Sequence, residues 1–133
     1  MFDSVLPTRV ARNGAIFTGD GRRNIRNAAF HSDSRRLEEG CDCYTCQHFS
    51  AAYVHHLFRA KELLAYTLAT LHNLRFLTRL MESIREAILN DRFVAFKAEF
   101  LARYQMTDQQ ARMAQRQKWL QSHGMDREDK PSA

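Results

Sequence analysis

Apolar residues recur at helical spacing through most of the chain after Ser50, and this pattern predicts three helices. The first is expected from about Ser50 to Leu68, with Ser50 as N-cap and an apolar side made of Val54, Leu57, Phe58, Leu64 and Leu68. The second is expected from about Thr70 to Asn90, with apolar positions at Leu71, Leu74, Leu77, Met81, Ile84 and Ile88. The third runs from about Arg92 to Tyr104 and carries Phe93, Phe96, Phe100 and Tyr104. We interpret all three stripes as core packing.

The amino-terminal part has a shorter-ranged pattern that favours strands and turns. Phe2 to Leu6 has a strand-like apolar character that stops at Pro7. Further on, Ala15 to Thr18, a glycine-rich turn at Gly19 to Gly21, and Asn24-Ile25 predict a β-hairpin.

Two further segments complete the prediction. Residues 41–49 are expected to form a loop that carries three cysteines. Near the carboxyl end, Thr107-Asp108-Gln109-Gln110 is a capping-box pattern, which predicts a fourth, glutamine-rich helix to about Ser122. The polar segment from Asp126 to Ala133 is expected to be disordered.

Length and composition limit what the chain can be. It has 133 residues, of which 44% are hydrophobic and 26% charged, so it is expected to form one small globular domain. A complete (β/α)8 barrel needs roughly 200 residues or more and does not fit. No apolar run approaches the roughly 18 residues that cross a membrane. The first seven residues lack the basic start and long apolar core of a secretory signal, so a cytoplasmic protein is expected.

Positive charge is concentrated near the amino terminus. Residues 9–36 hold seven arginines against two aspartates, which accounts for a net charge of +5, equal to that of the whole chain. The planar guanidinium group binds phosphate oxygens in pairs and stacks on bases, so this segment suggests a nucleic-acid surface. A solvated basic loop with scattered ion pairs explains the same composition equally well.

Three cysteines lie unusually close together in the segment Cys41-Asp42-Cys43-Tyr44-Thr45-Cys46. A disulfide framework normally needs an even count and a secreted context, whereas neighbouring thiolates on a short loop can share a metal ion. Zinc is the metal we expect, because it accepts tetrahedral sulfur and nitrogen ligands. The alternative is that the three cysteines are unrelated.

The fourth ligand is left open by the spacing. His48 is nearest, but a ligand two residues from Cys46 would strain a site that already has two short spacings. His55 and His56 lie within a predicted helix, and His72 begins the next one. A ligand from a separate helix would connect two elements, as structural zinc sites usually do, and this favours His72 without deciding for it.

Six blocks of residues, in order and in register, resemble the carboxyl-terminal portion of the tRNA-guanine transglycosylase (queuine tRNA-ribosyltransferase) family. The blocks are Phe2-Asp3-Ser4-Val5-Leu6-Pro7-Thr8-Arg9, Asn13-Gly14, Asn24-Ile25-Arg26-Asn27-Ala28, the cysteine cluster, Tyr53-Val54-His55-His56-Leu57 and His72-Asn73-Leu74-Arg75-Phe76. The similarity extends from residue 1 to about residue 104 and looks closer to the bacterial type.

The resemblance implies both an activity and its residues. Members of this family have a (β/α)8 barrel with a zinc-binding subdomain near its end, and they are commonly dimeric. They exchange the guanine at the wobble position of certain tRNA anticodons for a 7-deazaguanine precursor of queuosine. By this resemblance Asp3 is the nucleophile, and the zinc ligands are Cys41, Cys43, Cys46 and His72. The stretch that contacts tRNA is Thr8, Arg9, Val10, Ala11 and Arg12, with Arg9 and Arg12 as the main contacts.

The resemblance also predicts the organisation of the chain, as an α+β arrangement. Residues 1–40 would be the last strand region of the barrel with the nucleophile, an RNA-contact loop and the hairpin. Residues 41–104 would be a zinc-binding helical subdomain, and residues 105–133 a polar helix and a disordered tail. Three to four helices are thus expected at the carboxyl-terminal end.

A carboxylate nucleophile suits base exchange, because two inversions at the anomeric carbon preserve its configuration. The resemblance places the partner acid, another aspartate, and the base pocket in the preceding part of the barrel. The chain is therefore expected to be a carboxyl-terminal piece that is inactive alone. The alternatives are a free-standing, zinc-stabilised tRNA-binding module and a structural module for oligomer contacts.

Overall fold

The fold is arranged around one long helix. In the computed structural model, residues 3–104, 113, 117, 120 and 121 are described. The elements of residues 3–104, besides a 3-10 turn at Ala28–Phe30, are α1 (Leu6–Arg12), β1 (Ala15–Thr18), β2 (Gly21–Asn24), α2 (Tyr44–His48), α3 (Ala51–Ala60), α4 (Leu63–Leu89) and α5 (Phe93–Arg103). The 27-residue helix α4 contacts α1, α2, α3, α5 and β1. The expected mixture of helices with a small amount of strand is confirmed.

The predicted hairpin is present and divides the core into two parts. β1 and β2 pair in antiparallel register, with Ala15 opposite Asn24 and Thr18 opposite Gly21. Because successive side chains of a strand point to opposite faces, Ile16 and Phe17 enter different clusters. Ile16 packs with the cysteine loop and α3, whereas Phe17 packs against Phe76 of α4, with ring centroids 5.9 Å apart. The larger cluster thus contains residues from both predicted regions, 1–40 and 41–104.

The segment expected to form a strand and then a loop is helical instead. Leu6 to Arg12 form α1, so the strand predicted to end at Pro7 and the loop predicted for the RNA-contact stretch are both wrong. Proline is favourable in the first turn of a helix, where its fixed φ is suitable and its missing N–H group needs no partner. The basic residues Arg9 and Arg12 lie in the last turn, where the helix dipole favours positive charge.

The boundary between the first two predicted helices is also wrong. Ser50 caps α3 as expected and accepts a hydrogen bond from the Tyr53 N–H group, but α3 ends at Ala60 and α4 already begins at Leu63. Lys61 has a left-handed conformation, with φ of 60°. The N–H groups of Lys61 and Glu62 bond to the carbonyls of Phe58 and Leu57, as in a Schellman motif. Apolar periodicity continues across this turn and therefore conceals it.

Lys61 provides a direct test of this turn. We expect Lys61→Gly to raise the free energy of unfolding by about 0.5 kcal/mol, because glycine adopts positive φ without a steric penalty. Ala60→Gly is the matched control and should lower it by up to about 1 kcal/mol, since Ala60 is still helical. Denaturant titration of the metal-loaded chain measures both values, and a loss of stability in Lys61→Gly would contradict the turn.

The interpretation of the second stripe as core is wrong for four of its six residues. Leu71, Leu74, Met81 and Ile88 are 41% to 54% exposed, whereas Leu77 and Ile84 are half-buried and Leu77 packs against the smaller core cluster. The face of α4 that is buried consists instead of Ala65, Leu68, Ala69, His72, Asn73, Phe76 and Ala87. Small and polar residues occupy this face because it lies close to the cysteine loop and the hairpin. A stripe chosen by hydrophobicity therefore falls on the opposite side of the helix.

The third predicted helix is confirmed as α5, but its aromatic stripe is not buried core. None of the α5 residues is buried, Phe93 is exposed, and the ring pairs Phe96–Phe100 and Phe100–Tyr104 are stacked at the edge of the fold. Apart from four isolated positions, the polar helix predicted to Ser122 lies outside the described residues, as does the tail predicted over 126–133. Within the described part of the chain, none of the helices combines the length and apolar character needed to cross a membrane.

Candidate metal centre

Four side chains that can bind a metal meet between the cysteine loop and α4. The Sγ atoms of Cys41, Cys43 and Cys46 and a ring nitrogen of His72 all lie within 4.8 Å of one another. The Nδ1 atom of His72 is 3.7, 3.5 and 3.4 Å from these three sulfurs, in that order. All four residues are buried, and His72 is completely inaccessible. Such a closed group of four ligands is typical of a structural site.

The distances fit a tetrahedral metal ion. Zinc binds sulfur at about 2.3 Å and imidazole nitrogen at about 2.0 Å, so at tetrahedral angles sulfur and nitrogen ligands are about 3.5 Å apart. The three distances from His72 Nδ1 lie around this value. Three soft sulfurs with one imidazole also form a donor set that zinc prefers over harder divalent cations. The quartet is therefore a zinc site in both composition and geometry.

Local backbone structure brings the three cysteines together. Gly40, with φ of 72°, turns the chain just before Cys41. Cys43 is the N-cap of α2, and its sulfur accepts a hydrogen bond from the N–H group of Cys46, 3.3 Å away. The hydroxyl of Thr45 donates to the carbonyl of Leu68 at 2.8 Å and holds α2 on α4. One short helical turn thus directs the second and third sulfurs toward His72.

A surface ion pair adds a second connection between the loop and α4. The guanidinium group of Arg75 donates to both carboxylate oxygens of Asp42, at 2.9 and 2.7 Å. This contact holds the pKa of Asp42 below its usual value. Because Asp42 lies between two cysteines, the pair also restrains the loop at the metal site.

The charges of the quartet are already suited to a cation. The hydrogen bond with Cys46 lowers the pKa of Cys43 to about 3, and the same contact raises the pKa of Cys46. Burial opposes a charge on His72, but its contacts with Cys41 and Cys43 outweigh burial and raise the pKa of His72 to about 10. The site therefore stabilises thiolate beside positive charge. A metal cation bound there would take the place of the protons.

The other candidate histidines do not reach the site. His55 is buried, but its Nδ1 atom donates to the carbonyl of Ile25 at 2.7 Å, and it is not part of the quartet. His48 is exposed and lies against the ring of Tyr44, and His56 is also exposed. The tertiary structure thus selects His72 from the alternatives that spacing left open.

The remaining predicted residues precede the hairpin. Asp3 is exposed and lies three residues before the start of α1. Within α1, Arg9 and Arg12 are exposed, Thr8 is half-buried, and Val10 and Ala11 pack into the interior. The stretch therefore has a charged outer face and an apolar inner face.

Two polar residues with structural roles were not predicted. Asn73 is completely buried and makes three hydrogen bonds to backbone groups. Thr45 is also buried and makes one such hydrogen bond. In a predicted helix, a polar residue normally indicates an exposed position. The one indication in the sequence that Asn73 is buried is its place directly after His72.

Comparisons with known proteins show which family the chain belongs to. The family described as Queuine tRNA-ribosyltransferase matches residues 1–106. This chain belongs to that family. It is 58% identical over 120 residues to the queuine tRNA-ribosyltransferase of Dehalococcoides mccartyi strain BAV1, and 53% identical over 122 residues to that of Herpetosiphon aurantiacus. A third relative with this name, from Caldanaerobacter subterraneus, is 59% identical over 104 residues.

The chain spans about a third of the length of these queuine tRNA-ribosyltransferases. The alignment with the Dehalococcoides protein covers 90% of the chain but 31% of the relative. For the Caldanaerobacter protein these shares are 78% and 28%. The expectation that the chain corresponds to a carboxyl-terminal segment of this family is confirmed.

Proposed function

We propose that this chain is the carboxyl-terminal part of a tRNA-guanine transglycosylase, which exchanges the wobble guanine of tRNA for a 7-deazaguanine. The observation that carries the proposal is the family match over residues 1–106, which contains Asp3, α1 and the complete zinc site. tRNA and the 7-deazaguanine base are the partners of the complete enzyme. A cytoplasmic location follows from a tRNA substrate.

In the proposed reaction, Asp3 acts twice on the anomeric carbon. Its carboxylate forms a bond to C1′ of the ribose as the bond from C1′ to guanine N9 breaks, and the electron pair leaves with the base. An acid protonates the departing guanine, and we assign this role to an aspartate in the preceding barrel. The same aspartate, now deprotonated, takes the N9 proton of the incoming base, and N9 attacks C1′ as the bond between C1′ and Asp3 breaks and returns its electron pair to the carboxylate. Two inversions restore the original configuration.

The zinc site would have a structural role in this enzyme. Cys41, Cys43, Cys46 and His72 would hold the ion, and all four of its positions would then be occupied by protein. The ion would therefore connect the cysteine loop to α4 and take no part in the exchange.

The exposed apolar stripe on α4 supports the proposal that another part of the complete enzyme packs against this helix. Leu71, Leu74, Met81 and Ile88 form an apolar surface of a kind that small soluble domains rarely leave uncovered. We propose that the preceding (β/α)8 barrel of the complete enzyme covers it and supplies the base pocket and the acid. The chain alone would then hold Asp3 without the groups needed for turnover.

We further propose that the complete enzyme is a homodimer.

A second candidate function follows from the exposed arginines of α1. A zinc-stabilised chain that presents Arg9 and Arg12 on one helix is suited to bind tRNA without catalysis. Binding without exchange by the isolated chain is common to both candidates. Only the complete enzyme would also show exchange.

RNA binding by α1 is tested with an anticodon stem-loop that carries a wobble guanine. We expect the metal-loaded chain to bind it, and Arg9→Ala or Arg12→Ala to weaken binding about tenfold each, because each removes a charge-assisted contact to phosphate. Fluorescence anisotropy at several salt concentrations should also show a smaller salt dependence in each variant.

Arg59→Ala is the control, because it removes the same charge from the exposed side of α3. It should retain the affinity of the original chain. An equal loss in Arg59→Ala, or binding that does not respond to salt, would contradict a specific contact through α1.

A further inference from the structure

The outer edge of β1 is bonded by side chains of α4. In an antiparallel pair, alternate residues direct their backbone groups toward the partner strand. The carbonyl of Gly14 accepts a hydrogen bond from the Ile25 N–H group on the β2 side, so Ala15 and Phe17 face the opposite side. There the amide of Asn73 accepts from the Phe17 N–H group at 3.0 Å and donates to the Ala15 carbonyl at 2.9 Å.

The same amide also reaches α1. Its Nδ2 atom donates a second hydrogen bond, 3.1 Å long, to the carbonyl of Pro7 in the first turn of α1. Both amide hydrogens and one oxygen lone pair are thereby used, in a side chain with no exposed surface. Because the carboxamide is planar, these bonds fix α1 and β1 relative to α4 in orientation as well as in distance.

The metal site acts on the same strand residue. With a metal on Nδ1 of His72, the ring proton is on Nε2, and this nitrogen donates to the Phe17 carbonyl at 2.8 Å. His72 and Asn73 therefore hold the carbonyl and the N–H group of one residue. The zinc ligand and the anchor of α1 are consecutive in sequence and meet on a single strand position.

We propose that Asn73 is a positioning residue that couples the metal site to α1, so that the RNA affinity of Arg9 and Arg12 depends on it. The hydrogen bonds of the Asn73 side chain go to Phe17, Ala15 and Pro7, and not to the metal-binding atoms or to the arginines of α1. Metal binding orients His72 and with it Phe17, and Asn73 carries that order to Pro7. The RNA part of this inference rests on the proposed function, whereas the coupling itself does not.

The test variant is Asn73→Asp, in the full chain loaded with zinc. Aspartate keeps an acceptor for the Phe17 N–H group but places a second oxygen against the carbonyls of Pro7 and Ala15. We expect about one zinc per chain, as in a Cys3His site, with RNA affinity about tenfold lower. Hydrogen exchange of the α1 amides should accelerate at least about tenfold, while the α3 amides stay protected.

A milder variant and a matched control complete the design. Asn73→Ser removes the same contacts with α1 and leaves room for water, and it replaces Asn73→Asp should the latter fail to fold. His55→Gln also removes a buried side chain that is bonded to a backbone carbonyl, the one of Ile25, but His55 is neither part of the metal quartet nor bonded to α1. It should keep the RNA affinity and the slow exchange of α1.

Linkage supplies a readout that a general loss of stability would not change. When metal and RNA binding are coupled, each raises the affinity for the other by the same factor. In the original chain, RNA should raise the chelator concentration that removes half of the zinc at equilibrium, and in Asn73→Asp this effect should disappear. If Asn73→Asp matches His55→Gln in RNA affinity, in the coupling of RNA to zinc and in the hydrogen exchange of α1, the inference is overturned.

The proposed function and this inference fail in different ways. If the original chain does not bind the stem-loop, RNA binding through α1 is contradicted, and the hydrogen-exchange measurement alone then tests the inference. Faster hydrogen exchange of the α1 amides in zinc-loaded Asn73→Asp would still support the coupling. Unchanged hydrogen exchange would overturn it.

Discussion

Chelation of zinc is expected to lower the melting temperature of this chain by more than about 10 °C and to unfold the segment around the cysteines. Each kcal/mol of lost stability shifts the melting temperature of a domain of this size by about 4 °C, and structural zinc sites contribute several kcal/mol. Residues 31–43 contain no regular element, and α2 is five residues long. The metal is therefore the main connection that holds this segment on α4.

Substitution of one ligand should reproduce the effect. Cys46→Ser should reduce the zinc content and lower the melting temperature of the metal-treated chain to near that of the chelated one. His55→Gln is the matched control, because His55 is also a buried histidine bonded to a backbone carbonyl but is not part of the quartet. It should cost about 1–3 kcal/mol and leave zinc binding intact. A melting temperature that chelation does not change would contradict a structural role for the metal.

Asp3→Asn is expected to abolish guanine exchange in an enzyme that contains this chain. A suitable enzyme is a chimera in which the chain replaces the matching segment of the Dehalococcoides relative, to which it is 58% identical. Loss of a nucleophile should reduce the rate of guanine incorporation into tRNA by about 10⁴-fold or more. Asparagine keeps the size of aspartate but cannot form the covalent bond to ribose. The covalent adduct between enzyme and RNA, which denaturation leaves intact, should therefore be absent in Asp3→Asn.

The controls separate the role of Asp3 from a loss of structure. Asp20→Asn removes an exposed carboxylate from the hairpin turn, where it pairs with Arg23, and should leave exchange unchanged. The isolated 133-residue chain should show no exchange with Asp3 intact. Retained activity in Asp3→Asn would contradict its role as nucleophile. An inactive chimera with Asp3 present would contradict the proposal that this chain forms the end of the enzyme.

Local signals were sufficient for some parts of the fold. The hairpin follows from a glycine-rich turn between short apolar segments, and Ser50 is an N-cap because its hydroxyl can accept a backbone hydrogen bond. These features depend on residues close in sequence. The turn at Lys61 escaped prediction because it has neither glycine nor proline, and its hydrogen bonds use backbone groups that every residue has.

Family membership and the three cysteine ligands could be recognised in the sequence alone, because residue type and spacing specify them. The spacing left the fourth ligand open and the family resemblance named His72, and the packing of α4 supplies the physical reason, because it brings this histidine to the three sulfurs. Only the tertiary structure decided which face of α4 is buried. Asn73 and His72 occupy that face because the free edge of β1 needs hydrogen-bond partners, a requirement that exists only once the strand lies against the helix.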